Sequence, residues 1–370
     1  MKKLVSFLSL VLLAGATVGC NKTTAKEWSW KDAISDGELG YAILVGEDGN
    51  PEAEDRTKGC VDALNSIAAE GGFKAKELTR VTCTDTTGSW NDAFAKVQVE
   101  TWVKKYKGKL DFIVSNNDGM AIAASNATGL LKGTPIVGFD ALGTACDRIK
   151  KGTLAGSVSQ NGDDQALATA LALANRVKGT NPVISANYGG RASLNLDELN
   201  SHVIQTQFAA VTKQNADTLK PGNYVNVAED SAVKGKKLLV ALYSQNDNFI
   251  QETYAKALPH YAKALGFEVT VVAGEGTDDT KLQEQVDAKL GGNYDAFAFN
   301  IITHANYKTY LDKAAGKPVV FFNRQPKKSD NSGVADLSSV SNAYFVGSGS
   351  QGQGVAQGNI IKDWYHALEK

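Results

Sequence analysis

Trp90 and the run Asp247-Asn248-Phe249 fall in segments that read as loops, and Arg56, Asp118 and Asp140 stand in comparable places. Planar guanidinium and carboxylate groups bond adjacent hydroxyls in pairs, and an aromatic face covers the C–H side of a sugar ring. Together these residue types point to noncovalent capture of a hydroxyl-rich molecule. Any one of them alone would read as a helix cap or a surface ion pair; the convergence carries the argument. Reaction chemistry is poorly supplied. No GxSxG, HExxH or Walker A sequence occurs, and His202, His260, His304 and His366 are too dispersed to suggest a metal cluster or triad, so each reads as surface or structural. The nearest acid/base pair, Glu47 with Glu52, is what an enzyme acting on sugars would have to use. One GxGxxG, Gly347 to Gly352, follows an apolar run. A dinucleotide site needs a further strand with an acidic residue about 20 residues on, which is not found before Lys370, so the motif reads as a glycine-rich turn.

These residues must be positioned by regular elements, and the hydrophobic pattern supplies them. Short apolar runs at 41–45, 110–115, 135–139, 238–243, 269–272, 296–300, 318–322 and 344–346 read as buried parallel strands, and amphipathic stretches such as 91–106 read as their covering helices. The order occurs twice. A strand ends in Leu44-Val45-Gly46-Glu47-Asp48-Gly49-Asn50 and its helix closes at Gly72-Phe73; another ends in Leu242-Tyr243-Ser244-Gln245-Asn246-Asp247-Asn248 and its helix closes at Gly266-Phe267. Gly133-Thr134-Pro135 through Asp140 is echoed by Gly316-Lys317-Pro318 through Asn323. Two copies of one Rossmann-like lobe are therefore expected, with parallel sheets and a hinge. Their polar residues cluster just after the strands, where an open α/β sheet presents its ligand crevice. Lobes facing each other would clamp a small polar molecule by closing.

Composition agrees with two globular lobes: 370 residues, 43% hydrophobic, with 36 Gly against 7 Pro. The 39 basic and 40 acidic residues leave no excess charge to hold a phosphate backbone, so nucleic acid is not expected as a partner. Lys2 and Lys3 precede an apolar run from Leu4 to Leu13, flanked as in an export signal and too short to span a bilayer. The run ends Ala16-Thr17-Val18-Gly19-Cys20, which resembles a bacterial lipoprotein signal, with Thr17 where that pattern prefers Leu. The resemblance implies lipidation of Cys20, the only membrane attachment expected. Cys60, Cys83 and Cys146 match no zinc spacing; one pair could bridge in an oxidising compartment, or all three could be buried free thiols.

Asn116-Asn117-Asp118-Gly119-Met120-Ala121, then Gly138-Phe139-Asp140-Ala141-Leu142 and Leu154 to Val158, resemble the bacterial galactose/glucose-binding proteins, type I periplasmic solute receptors that deliver hexose to an ABC permease and can report to a chemoreceptor. The segment from Gly46 to Arg56 is similar to that family's sugar loop, and Val319 to Arg324 resembles its other sugar-binding strand. The family's order is exchanged, since the part like 238–364 should come first. The chain therefore reads as circularly permuted. The expected plan is a signal peptide at 1–19, a lipidated tether at 20–27, lobe A from 28–159 with 208–219 and 348–370, lobe B from 160–207 with 238–347, and a permutation linker at 220–237.

By position, the resemblance implies that Asp247 and Asn323 bond hydroxyls from one lobe while Phe249 stacks on the ring. Arg56, Asn117 and Asp140 would bond from the other lobe, with Trp90 on the opposite face. Gln160 stands where the family has Asn, and Asn50 and Glu52 replace its His and Asp. Asn246 and Arg324 lie beside carried-over positions. The family's calcium loop is only half kept: Asp32 and Asp36 hold the first and fifth positions, but Ile34 cannot ligate and Asp111 replaces a bidentate Glu. No cofactor is expected, with calcium at Asp32, Asp36 and Asp111 the alternative left open. The whole reads as a monomeric, lipid-anchored hexose receptor, glucose first and galactose second. A receptor for a pentose or nucleoside is the alternative of the same fold; a sugar-acting enzyme is the alternative of another class.

Overall fold

The computed structural model describes residues 27–86, 88–182, 202–330 and 332–368. The export signal, Cys20 and most of the tether lie outside the described residues. In chain order the elements are α1 (Trp30–Ala33), β1 (Glu38–Val45), α2 (Pro51–Gly71), β2 (Lys74–Thr82), α3 (Asp92–Tyr106), β3 (Phe112–Ser115), α4 (Asp118–Ser125), β4 (Ile136–Val137), α5 (Gly143–Lys151), β5 (Ser157–Ser159) and α6 (Gly162–Val177). There follow β6 (Val203–Gln205), β7 (Ala209–Val211), β8 (Lys237–Leu242), α7 (Asn248–Glu252), α8 (Tyr254–Leu265), β9 (Glu268–Ala273), α9 (Asp279–Asp287), β10 (Ala296–Phe299), α10 (Tyr307–Ala314), β11 (Val319–Phe322), β12 (Ala343–Gly347) and α11 (Ser350–Leu368).

Apart from β5 and β7, which pair antiparallel, the strands form two parallel sheets with the same inner order. One runs β2-β1-β3-β4; the other runs β6-β12-β11-β10-β8-β9. β2, β1, β3 and β4 thus correspond to β9, β8, β10 and β11, as the repeat in the sequence requires. β1, β3, β8, β10 and β11 are buried along nearly their whole length, which explains why their apolar runs are unbroken. β2 escaped the hydrophobic pattern for a physical reason. It is an edge strand whose residues Lys74, Lys76, Glu77 and Arg80 are charged, and charged edges resist pairing with other chains.

The helices start where short polar side chains cap them. Asn50, Asn91, Asn117 and Asp247 each accept a hydrogen bond from the backbone N–H three residues on, at the N-termini of α2, α3, α4 and α7. The ends of α2 and α8 fall at Gly72 (φ 70°) and Gly266 (φ 112°), left-handed positions that favour glycine. The second copy of the first helix is not continuous, since α7 and α8 are broken at Thr253.

Among the described residues three short crossings join the lobes: residues 160–161 lead from β5 to α6, residues 206–208 from β6 to β7, and Ser348-Gly349 from β12 to α11. The GxGxxG run is the third of these. After the crossing, α11 lies against α2 so closely that a Cβ at Gly354 would overlap the Asp55 carbonyl, and one at Gly59 would overlap Gly354. Gly354→Val should therefore force α2 and α11 apart and cost roughly 3 kcal/mol, read as a lowered chemical-denaturation midpoint with unchanged m-value. A fourth connection, residues 212–236, runs from β7 to β8 and is tied down by Gly222 N–H to Asp163 (2.6 Å) and by Lys220 to Asp147 (2.5 Å).

Candidate functional site

The site is built on strand ends and first helical turns. Asn50 spends its Oδ1 on the cap of α2 and donates its Nδ2 to Glu47 (3.1 Å). Glu52 sits in the first turn of α2, where burial raises its carboxyl and Arg56, one turn on, opposes the rise. Arg56 is 3% exposed. Its Nη atoms donate to the Asn116 carbonyl (2.8 Å) and Gln353 Oε1 (3.3 Å), its guanidinium lies 3.6 Å from the centre of the Phe139 ring and 5.7 Å from that of Trp90, and its Nε has no partner. Asn117 caps α4 with Oδ1 and lines the cavity.

Asp140 follows β4 with a backbone φ of 112° and donates its N–H to the Val158 carbonyl (2.7 Å). Its Oδ1 accepts from Gln160 Nε2 at 2.6 Å, and burial pushes its carboxyl up to about 7 despite Arg56 nearby. Trp90 has φ 60°; its indole donates to Glu47 (3.3 Å), and its ring lies where a Cβ on Gly46 would be. From the other lobe, Asp247 caps α7 and accepts the Tyr243 hydroxyl, while Phe249 in α7 packs edge-on to Tyr254 at 5.6 Å. Asn323, with φ 61°, follows β11 and accepts from Asn300 (3.2 Å).

All ten residues singled out in the sequence (Asn50, Glu52, Arg56, Trp90, Asn117, Asp140, Gln160, Asp247, Phe249 and Asn323) line one cavity, together with Tyr243 and Arg324. Backbone strain concentrates in the same place. Among the described residues, nine other than glycine have positive φ, and Trp90, Asp140, Asn161 and Asn323 belong to the cavity walls or the adjoining crossing. Such conformations cost of order 1–3 kcal/mol each and persist where the surroundings impose them.

Three features differ from the sequence reading. Asp118 is no ligand group: its oxygens accept from Ser157 Oγ (2.8 Å) and Leu142 N–H (2.9 Å), fully buried beneath the site, which holds the loop after β4. Phe249 lies on a short helix rather than in an open loop and is only 7% exposed. Glu47 stands at the edge of the site, in the contact between the lobes. It accepts from Trp90 and Asn50 in its own lobe and pairs with Arg324 of the other lobe at 3.2 Å. Burial would raise the Glu47 carboxyl, but Arg324, then His304, bring it below the usual carboxylate value.

Gln353 and Gln357 were also missed. Both are buried on α11; Gln353 holds Arg56, and Gln357 donates to the Ser115 and Gly138 carbonyls at 2.9 Å each. Their signal, two Gln one turn apart among glycines, follows directly on the run read as a turn. His304 is half-buried with Nδ1 against the Gln325 carbonyl (2.6 Å), and desolvation with Arg324 nearby holds its imidazole down to about 3. Cys60, Cys83 and Cys146 are free and buried, with burial pushing the Cys83 and Cys146 thiols up to about 12.

The loop near Asp32 does not fit calcium. Asp32 lies within α1, Asp36 caps the Glu38 N–H and faces Lys109 (3.8 Å), and Asp111 accepts from the Gly40 N–H (2.9 Å). Among the described residues no three His, Cys, Asp or Glu side chains are grouped to hold a metal. Chelator treatment should leave the thermal midpoint unchanged to within about 1 °C, whereas loss of a tightly bound ion would lower it by several degrees.

Comparison with known proteins places this geometry. Two family models, each described as a periplasmic binding protein domain, match residues 26–181 and 235–307. The D-galactose/methyl-galactoside binding periplasmic protein MglB of Haemophilus influenzae is 35% identical over 202 residues, an alignment covering 53% of this chain and 56% of that protein, little more than half its length. In fold, the chain is similar to an ABC transporter solute-binding protein from Agrobacterium vitis with bound D-fucose (TM-score 0.54, 12% identity, 89% of both chains). It is also similar to GanP, a glucose-galactose binding protein from Geobacillus stearothermophilus (TM-score 0.50, 11% identity, 89% of this chain and 91% of that one). With two repeated parallel-sheet lobes closed over a polar cavity and residues 26–181 and 235–307 matched by these models, the chain belongs to the type I periplasmic binding proteins.

Proposed function

We propose that this chain captures a hexose, D-glucose first and D-galactose second, between its lobes and delivers it to an ABC permease. One observation carries the reading: a single cavity is lined by Trp90 from one lobe and Phe249 from the other, with Asp140, Arg56, Asn117, Asp247 and Asn323 around them. Aromatic faces and charge-assisted bonds from planar groups are what a pyranose with several hydroxyls needs. The relative's name, D-galactose/methyl-galactoside binding, supports the class of ligand. Structural neighbours with bound D-fucose and myo-inositol show that the fold alone does not choose among such rings. The choice rests on the residues named. Glu47 and Glu52 do not make an acid/base pair, because Glu47 is held by Arg324, Trp90 and Asn50. Solution NMR of hexose incubated with the protein should show it bound and chemically unchanged.

Contacts from Arg324 to Glu47 (3.2 Å), Glu252 to the Gly143 N–H (2.9 Å) and Lys327 to the Gly49 carbonyl (2.5 Å) bridge the lobes, so the described arrangement is closed. The free volume of the cavity is then about 50 Å³, on the order of four waters, and a sugar must enter with the lobes parted. A thermal-shift screen over a dozen sugars tests the assignment. Glucose or galactose at about 100 times its Kd should stabilise the fold by roughly 2.7 kcal/mol, and a screen in which only pentoses or nucleosides stabilise would replace the hexose.

The export signal and Cys20 support a receptor held outside the cytoplasm by a lipid, and the order of its segments supports a permutation. Trp28 and Trp30 meet Trp364 and Tyr365 with ring centres 5.3 and 4.9 Å apart, so the ends of α11 and the residues leading into β1 are neighbours, where the family's chain would run on. A chain rejoined there and opened between 220 and 237 should bind the same sugar with affinity within about threefold. Loss of folding in that chain would remove the permutation from the proposal. Docking to a permease or a chemoreceptor, as a monomer, belongs to the same reading.

A further inference from the structure

The space between the lobes does not end at the hexose pocket. A larger cavity of about 310 Å³ opens outward from it, with Trp90, Asp140, Asp247 and Phe249 as a shared wall. It is present with the lobes closed, because contacts between the lobes stand on its rim: Glu47 with Arg324 at 3.2 Å, and Asn248 Nδ2 donating to Asp92 at 3.3 Å. By volume it holds on the order of 20 to 30 waters, against about four in the inner pocket. Closure on a single ring would leave this space filled with solvent. Its outer wall carries Ser89, Asn91, Asn246 and Glu275, a hydroxyl, two carboxamides and a carboxylate, which suit further hydroxyls better than an alkyl or aromatic group.

We infer that the outer cavity is a second sugar subsite, so that the receptor takes a disaccharide with one hexose ring between Trp90 and Phe249 and the other ring outside it. This rests on the reading of the inner pocket as a hexose site. The shared Trp90 wall gives both rings one aromatic edge to pack against, and the two interlobe contacts on the rim close beside the second ring rather than through it.

Titration calorimetry on the purified chain with glucose, galactose, maltose, cellobiose, lactose and melibiose tests it. At least one disaccharide should bind within about tenfold of the better hexose. Hexose binding with no heat from any disaccharide at millimolar concentration would overturn the second subsite and leave the hexose reading standing. Disaccharide binding without hexose binding would support the subsite while correcting the ligand, and binding of neither would overturn both. Ala93 is exposed and lines only the outer cavity, so Ala93→Tyr should fill it without disturbing the core. That variant should keep hexose affinity within about twofold and weaken the disaccharide by at least about tenfold. Equal weakening of both, or no weakening of the disaccharide, would also count against the placement of the second ring.

Discussion

Asp140→Ala should abolish hexose binding in calorimetry while the fold survives. The carboxyl accepts from Gln160, lines the cavity and is the acidic group acting most strongly on Arg56. Truncating one member of such a buried charged set costs about 2–5 kcal/mol in binding, or roughly 30-fold to several thousandfold in Kd. Trp90→Ala acts by another route. It removes one ring face and the indole bond to Glu47, and with them the residue that separates the inner cavity from Gly46. Hexose affinity like that of the wild type in both variants would sink the site assignment.

The same carboxyl sets a pH dependence. Burial holds Asp140 at about 7, above its value in the unfolded chain, so the empty protein binds the extra proton in the folded state. The stabilisation this contributes is full below pH 4 and is lost as pH rises through about 7. A hydroxyl-donating sugar prefers the ionised carboxylate, so the thermal shift produced by a saturating hexose should grow between pH 5.5 and 7.5. In Asp140→Asn that growth should vanish.

The second large effect is expected at Arg56. Its guanidinium is stacked on Phe139 and held by Asn116 and Gln353, and burial alone would lower its pKa, with Asp140 the first of the carboxylates that oppose this. Arg56→Met keeps much of the volume but leaves Asp140 and Glu52 without their nearest positive charge. Removing one partner from a buried charged group destabilises by about 3 kcal/mol or more. Because the orphaned carboxyls can be neutralised by protonation, the deficit should shrink at pH 5 relative to pH 8. Denaturant unfolding of the ligand-free variant at the two pH values measures this, and a deficit independent of pH would mean that packing on Phe139, not charge, is what Arg56 supplies.

How much of this was legible beforehand depends on the range of the forces involved. Caps read well: Asn50, Asn91, Asn117 and Asp247 each bond an N–H three residues away, an interaction the local sequence contains in full. β2 read poorly, since an edge strand needs no apolar face to announce it. The ten cavity residues were named through likeness to a family, and the likeness carried them because all but Arg56, one turn further into α2, sit near a strand end or helix start that the alternating plan preserves. Gln353 and Gln357 were not named, and Glu47 was named only as half of a candidate acid/base pair. Their roles are made by partners 277, 297, 242 and 219 residues away in the chain, and no local pattern marks such a pairing.

By itself, then, the sequence determined the alternation of strand and helix, the doubled lobe and the polar residues at the strand ends, all of which follow from hydrophobic period and short-range hydrogen bonds. Only the tertiary structure decided which of those polar groups are spent inside the protein, as Asp118 is, and which line the cavity, as Asn117 and Arg56 do. It also decided that Asp140 titrates near neutrality, because burial, not residue type, fixes the energy of its charge.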